Sequence, residues 1–191
     1  MENSVNFRTD MADERVDEYK RVNNLTYLDG VEVIQNEKNN ITTTVVKITN
    51  ENGEKSLSKK IGDYITIETK DIKYLEDKEE NELVKIVSDE LKNLIKGKEK
   101  SNEKSSILIV GLGNEYITPD ALGPKVVKNI NITRHVLNIA GDIANSNQRS
   151  VCAIMPGVLG TTGIETFEIV KSVVDRIKPD IVIAIDSLAS S

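Results

Sequence analysis

Three short runs in the second half of the chain, ILIVG (107–111), VCAIM (151–155) and IVIAI (181–185), contain no charged side chain. A strand with one solvated face alternates apolar and polar residues. A strand this uniformly apolar has to be covered on both faces, which points to a parallel sheet between helices. The intervening segments can supply those helices. GIETFEIVKSVVDRIKPD (163–180) sets Ile169, Val173, Val174 and Ile177 in one stripe, with Pro179 beyond its end, as a crossover helix requires. Residues 106–191 are therefore expected to form an α/β core, a parallel-rich twisted sheet flanked by helices. Because the last apolar run looks like a central strand and nothing follows to cover it, this core is expected to be incomplete at its C-terminus.

The first half has a different texture. Residues 1–30 are polar, with ADERVDEYKR (12–21) readable as a helix of a turn or two and YLDG (27–30) as a turn, and they are expected to form an arm. VEVIQ (31–35), ITTTVVKIT (41–49) and DYITIET (63–69) are β-rich runs separated by the Asn-rich NEKNN and by NENGEKS, the pattern of a small N-terminal antiparallel β meander. In DKEENELVKIVSDELKNLIKG (77–97), Leu83, Val87, Leu91 and Leu94 fall near one helical face with Glu90, and Gly97 is placed to stop the helix. Residues 97–105 are lysine-rich but also carry Glu99 and Glu103, so they read as a solvated linker. The expected division is 11–96 for arm, meander and amphipathic helix, 97–105 for the linker and 106–191 for the α/β core.

Charge and residue usage exclude several functions. A net charge of −6 over 191 residues argues against direct nucleic-acid binding, which needs clustered Lys and Arg. No apolar run approaches the roughly 18 residues of a membrane span, and the first residues lack the apolar middle of a signal peptide, so a cytoplasmic location is expected. The one cysteine, Cys152, lies inside an apolar run, where strand burial accounts for it better than nucleophilic catalysis. The one histidine, His135, has no second His or Cys at ligand spacing, so neither a metal nor another cofactor is expected.

The stretch ILIVGLGNEYITPDALGP (107–124) begins like a dinucleotide loop, but Tyr116 stands where the third glycine of G-x-G-x-x-G belongs. No acid closes the next strand either. Thr118 and Pro119 read as helix cap and first helical residue, which puts Asp120 in the first turn. There it is either a charge at a helix end or a site carboxylate. Asp186 follows the last apolar run and has the same two readings, turn cap or site acid. Ligands of open α/β sheets bind beyond the carboxyl ends of the strands, where both acids fall, so the two can share a crevice and divide acid and base roles. Between the second run and the crossover helix, PGVLGTTGIET (156–166) carries Gly160, Thr161, Thr162 and Gly163. Their N–H groups can form a nest for an oxyanion, a substrate group or a phosphate, or the glycines can simply serve a loop needing positive φ.

Five stretches, FRTDMADE (7–14), GLGNEYITPDALGP (111–124), TRHV (133–136), PGVLGTTGIET (156–166) and KPDIVIAIDSLAS (178–190), in this order resemble the germination protease family of spore-forming bacteria, and the likeness runs from Phe7 to the last residue. The hydrogenase-maturation endopeptidases are similar in the Gly-x-Gly-Asn turn followed by an acid. The resemblance implies the phosphorylase/hydrolase-like α/β fold of those endopeptidases. It also implies an aspartic-type endopeptidase, made as an autoprocessed zymogen and assembling as a homotetramer in the spore core. Its substrates would be the small acid-soluble spore proteins, whose degradation it initiates at germination. Residue by residue, the catalytic aspartates fall on Asp120 and Asp186. The family cuts after an acid followed by an apolar residue and Ala, which places processing at Asp10–Met11 and makes residues 1–10 a propeptide. The family also continues well past Ser191. Two further readings stand beside this one: a metal-dependent maturation-type endopeptidase with Asp120, Asp186 and His135 as ligands, and an inactive N-terminal fragment or binding module.

Overall fold

The computed structural model describes residue 7 and residues 9–96, 105–140 and 148–188, and the chain divides into two compact units, Met1–Leu94 and Ile95–Ser191. Most of the expected propeptide, Gly97 and the linker as far as residue 104 lie outside the described residues.

In the first unit α1 (Ala12–Asn23) precedes β1 (Val31–Lys38), β2 (Ile41–Ile48), α2 (Glu51–Leu57), β3 (Gly62–Glu68) and α3 (Asp77–Lys96). The strands pair antiparallel in the order β1-β2-β3, as the alternating runs require. Only Asn39 and Asn40 turn between β1 and β2, at φ of 52° and 61°. That is the two-residue turn whose twist suits a hairpin, and Asn tolerates it; β1 accordingly runs further than the Asn-rich loop suggested.

Register places Val46, Ile48 and Tyr64 on one face of the sheet and Ile34, Val45 and Ile65 on the other. The first face packs on Ala12, Val16 and Tyr19 of α1 together with Leu28 and Leu57. Residues 12–23 are thus a core helix rather than an arm, because those three side chains recur at 12, 16 and 19 on one stripe among the charges. A Val or Leu buried as fully as Val16 or Leu57 contributes roughly 1.5–3 kcal/mol. NENGEKS is not a loop either: Asn50 Oδ1 accepts the N–H groups of Asn52 (2.9 Å) and Gly53 (3.0 Å) and so starts α2.

The other face borders α3, with Ile86 beside Ile41 and Thr43, and Leu94 beside Val45 and Ile65. Lys38 pairs with Glu82 (2.6 Å) and Lys70 with Glu79 (2.8 Å). The helix is therefore turned from the expected face: Leu83 and Leu94 are half-buried, but Val84, Val87 and Leu91 are exposed. Apolar residues cover too wide an arc of α3 for periodicity to choose between neighbouring faces.

The second unit holds β4 (Ile107–Gly111), α4 (Leu122–Lys128), α5 (Arg134–Ala140), β5 (Val151–Ile154), α6 (Leu159–Thr162), α7 (Thr166–Ile177) and β6 (Ile181–Ile185). Its described strands are parallel, with β4 between β5 and β6. β4 is buried along its whole length, as its composition demanded. Ile169, Val173, Val174 and Ile177 of α7 are half-buried, as expected of a crossover stripe. At the amino end of the sheet, Asp180 Oδ2 accepts the N–H (2.9 Å) and hydroxyl (2.8 Å) of Ser106, which fixes β6 in register on β4. β6 flanks β4 rather than lying centrally among the described strands, and Val182 on its outer face is exposed. Cys152 is half-buried in β5, its thiol directed at the Ile107 carbonyl (3.7 Å), and burial pushes that thiol above its usual pKa. No described helix is long and apolar enough to cross a membrane.

Candidate active site

The chain crosses from β4 to α4 in a closed loop. Asn114 N–H donates to both the main-chain oxygen (3.0 Å) and the Oδ2 (2.8 Å) of Asp120. Asn114 Oδ1 in turn accepts the Tyr116 N–H (3.0 Å), and the Asn114 carbonyl accepts the Ile117 N–H (3.1 Å). Gly113 makes this closure feasible: its φ is +105°, and a Cβ there would stand 2.1 Å from the Asp120 carbonyl oxygen.

The local helix differs from the sequence expectation. Thr118–Asp120 is a 3-10 turn preceded by Ile117, with no side-chain cap, and α4 begins only at Leu122. Pro124 explains the break. In a helix running on from Thr118 its ring would meet the carbonyl of Asp120, four residues back, and it has no N–H to give that oxygen. The Asp120 carbonyl turns to Asn114 instead, so Asp120 is positioned by the loop and not by the first turn of an α-helix.

Asp186 follows β6, the neighbour of β4. Its Oδ1 accepts the N–H of Ser187 (2.8 Å), and the Ser187 hydroxyl donates to the Pro119 carbonyl (2.8 Å), one residue before Asp120. Leu112 N–H donates to the Ile185 carbonyl (2.8 Å). Close packing completes the junction, since a Cβ on Gly123 would lie 2.4 Å from the Leu112 oxygen and 2.5 Å from the Ile185 oxygen. Both acids therefore stand at the carboxyl ends of adjacent parallel strands, Asp120 half-buried and Asp186 exposed.

A cavity of about 240 Å³ opens beside the Asp120 loop, between Gly113–Tyr116 on one side and Met155, Gly157, Val158 and Thr161 on the other. Tyr116 is 88% exposed beside it. At the same loop Lys128 donates to the Glu115 carboxylate, and that bond holds Glu115 below the usual carboxylate pKa and raises Lys128.

Of the two readings of the Gly160–Gly163 stretch, the need for positive φ is met at Gly163. Leu159–Thr162 forms a single helical turn and Gly163, at φ +69°, ends it. The N–H groups of Thr161 and Thr162 and both hydroxyls are directed at the Val158 carbonyl, and the Gly163 N–H at Leu159. Those groups are engaged within their own turn, and Thr161 meets the site as part of the cavity wall.

Asp10 and Met11 belong to the first unit, immediately before α1. His135 is exposed on α5, and among the described residues no three His, Cys, Asp or Glu side chains converge as a metal site; the set Asp120, Asp186 and His135 is not assembled. Sequence reasoning missed Asn114 and Ser187. The signal for the first was present, because an Asn directly after a Gly-x-Gly turn is a residue that bonds the backbone two positions on.

The family described as Germination protease matches residues 6–191. The germination protease of Clostridium tetani is 44% identical over 186 residues, covering 97% of this chain and 56% of its own length. That of Clostridium perfringens strain SM101 is 45% identical over 188 residues, with 97% and 56% covered. That of Priestia megaterium is 39% identical over 187 residues, with 96% and 50% covered. The chain spans about half the length of the curated relatives it matches.

Proposed function

As the chain belongs to the germination protease family, we propose that it carries the two catalytic aspartates, Asp120 and Asp186, of an endopeptidase that degrades small acid-soluble spore proteins. The enzyme is made as a zymogen, processed by its own cut at Asp10–Met11, and works as a homotetramer in the spore core. The observation that supports the pair is the Ser187–Pro119 hydrogen bond, which ties the residue after Asp186 to the residue before Asp120.

In the proposed reaction one carboxylate takes a proton from water as the water oxygen attacks the scissile carbonyl carbon. The other carboxyl delivers a proton to the amide nitrogen as the C–N bond breaks. The reaction requires the two carboxyl groups to come within direct or one-water reach, roughly 3–6 Å between oxygens. The neighbouring cavity, walled by Tyr116, Met155, Val158 and Thr161, suits an apolar side chain of the substrate beside the scissile bond. In this reading the turn at Gly160–Gly163 shapes the substrate wall.

Asp120→Asn and Asp186→Asn in the full-length enzyme are each expected to lower kcat on a spore-protein peptide by about 10²–10⁴-fold with the melting temperature unchanged, since Asn keeps the shape but cannot pass the proton. Near-normal turnover in either variant overturns the pair.

A further inference from the structure

Arg15, on the first turn of α1, gathers more contacts than any role in helix formation requires. Its side chain is only 12% exposed. Nε donates to the Thr9 carbonyl (2.7 Å) and Nη2 to Asp10 Oδ1 (3.0 Å). Nη1 donates to the carbonyls of Leu57 (2.9 Å) and Ser58 (3.3 Å) at the end of α2, where helix carbonyls have no partner in their own helix. The guanidinium also lies over the Phe7 ring, 5.0 Å from its centre. One planar fork thus fastens the segment before α1 to the folded body of the first unit.

We propose that Arg15 is the restraint that sets how readily the Asp10–Met11 bond is cut, an inference that rests on the processing site assigned above. A protease takes its substrate as an extended strand whose main-chain groups are free to bond to it. Here the groups flanking the bond are already engaged. The Thr9 carbonyl is held by Arg15, the Met11 N–H by Thr9 Oγ1 (3.1 Å), and the Met11 carbonyl by the Arg15 N–H (3.2 Å), which starts α1 one residue past the bond. Cleavage therefore waits on local opening of this segment, and Arg15 sets the free energy of that opening. The Asp10 carboxylate is 89% exposed, so its ion pair contributes little, and the carbonyl and ring contacts carry the restraint.

The test is limited digestion of the full-length protein, in the Asp120→Asn background, by an added protease that cuts before large apolar residues, with the products read by N-terminal sequencing. Arg15→Lys keeps the charge but cannot span the fork. It is expected to speed the cut before Met11 about tenfold, the value of one or two hydrogen bonds, and to leave cuts inside the two units unchanged. Asp10→Asn is expected to alter that rate by less than about threefold. If Arg15→Lys folds poorly, Phe7→Ala, which removes the ring beneath the guanidinium, is expected to move the same cut in the same direction by about threefold. Equal rates before Met11 in native and Arg15→Lys protein, or faster cutting everywhere at once, overturn the restraint. If the added protease shows the Arg15 dependence while the enzyme's own processing begins elsewhere, the restraint stands and the processing assignment falls.

Discussion

The two aspartate loops end neighbouring strands of one sheet, yet they are held in different ways. The Asp120 loop closes on itself, with Asn114 N–H bonded to both main chain and side chain of the acid and Gly113 at positive φ beneath it. Asp186 is exposed; its carboxylate accepts the next N–H in sequence, and its position comes from β6 and from the Ser187 bond to Pro119. The first acid is thus located by a local device that would survive small shifts of its neighbours. The second depends on the strand and on a single bond to a segment 68 residues away.

The largest expected effect erases this difference by striking what both loops share. In Gly123→Ala the new Cβ meets backbone oxygens of Leu112 and Ile185, which cannot swing aside as a side chain can. Destabilisation of about 3 kcal/mol in denaturant unfolding is expected, with loss of turnover. Stability within experimental error of the native protein would show that α4 is not seated on β4 and β6 as described.

Gly113→Ala should separate the loops. It strains the backbone at φ +105° and collides with the Asp120 carbonyl, so a cost of about 1–3 kcal/mol and displacement of Asp120 are expected. Amide shifts at Asp186 and Ser187 should stay near native values; if they move as far as those at Asn114, the Asp120 loop is not self-contained. Ser187→Ala is milder. It removes the bond to Pro119, worth about 1 kcal/mol, and is expected to lower kcat by less than about tenfold. A displacement of Asp120 in Ser187→Ala as large as that in Gly113→Ala, read from the Asn114 and Asp120 amide shifts, would mean that the cross-strand bond, and not the loop, locates Asp120.

The smallest effect belongs to the Asp120 side alone. Lys128 holds Glu115 below its usual pKa, so the stabilisation is present above the ordinary carboxylate value and is lost as pH falls through the lowered one. The native melting temperature should therefore fall slightly more on acidification than that of Lys128→Ala, and high salt should remove the gap because the pair is exposed. An identical acid response in the two proteins would detach the ion pair from the stability of this loop.

Much of this molecule was legible in the amino-acid sequence. The three apolar runs determined a parallel sheet with β4 buried, the spacing of Ile169, Val173, Val174 and Ile177 determined the crossover helix, and the alternating runs determined the meander. The carboxyl ends of two strands marked where Asp120 and Asp186 would stand. Each of these follows from the average environment of a whole element, which hydrophobic periodicity records directly. Tertiary structure alone decided the rest. α3 meets the sheet with Ile86 and Leu94 while Val87 and Leu91 stay exposed, α1 became a core helix by packing on β2 and α2, and Arg15 found its partners at Leu57 and Ser58. The bond from Ser187 to Pro119 belongs with them. These features depend on where one polar group points and on residues far apart in the chain, and an element's pattern of apolar side chains carries no record of either.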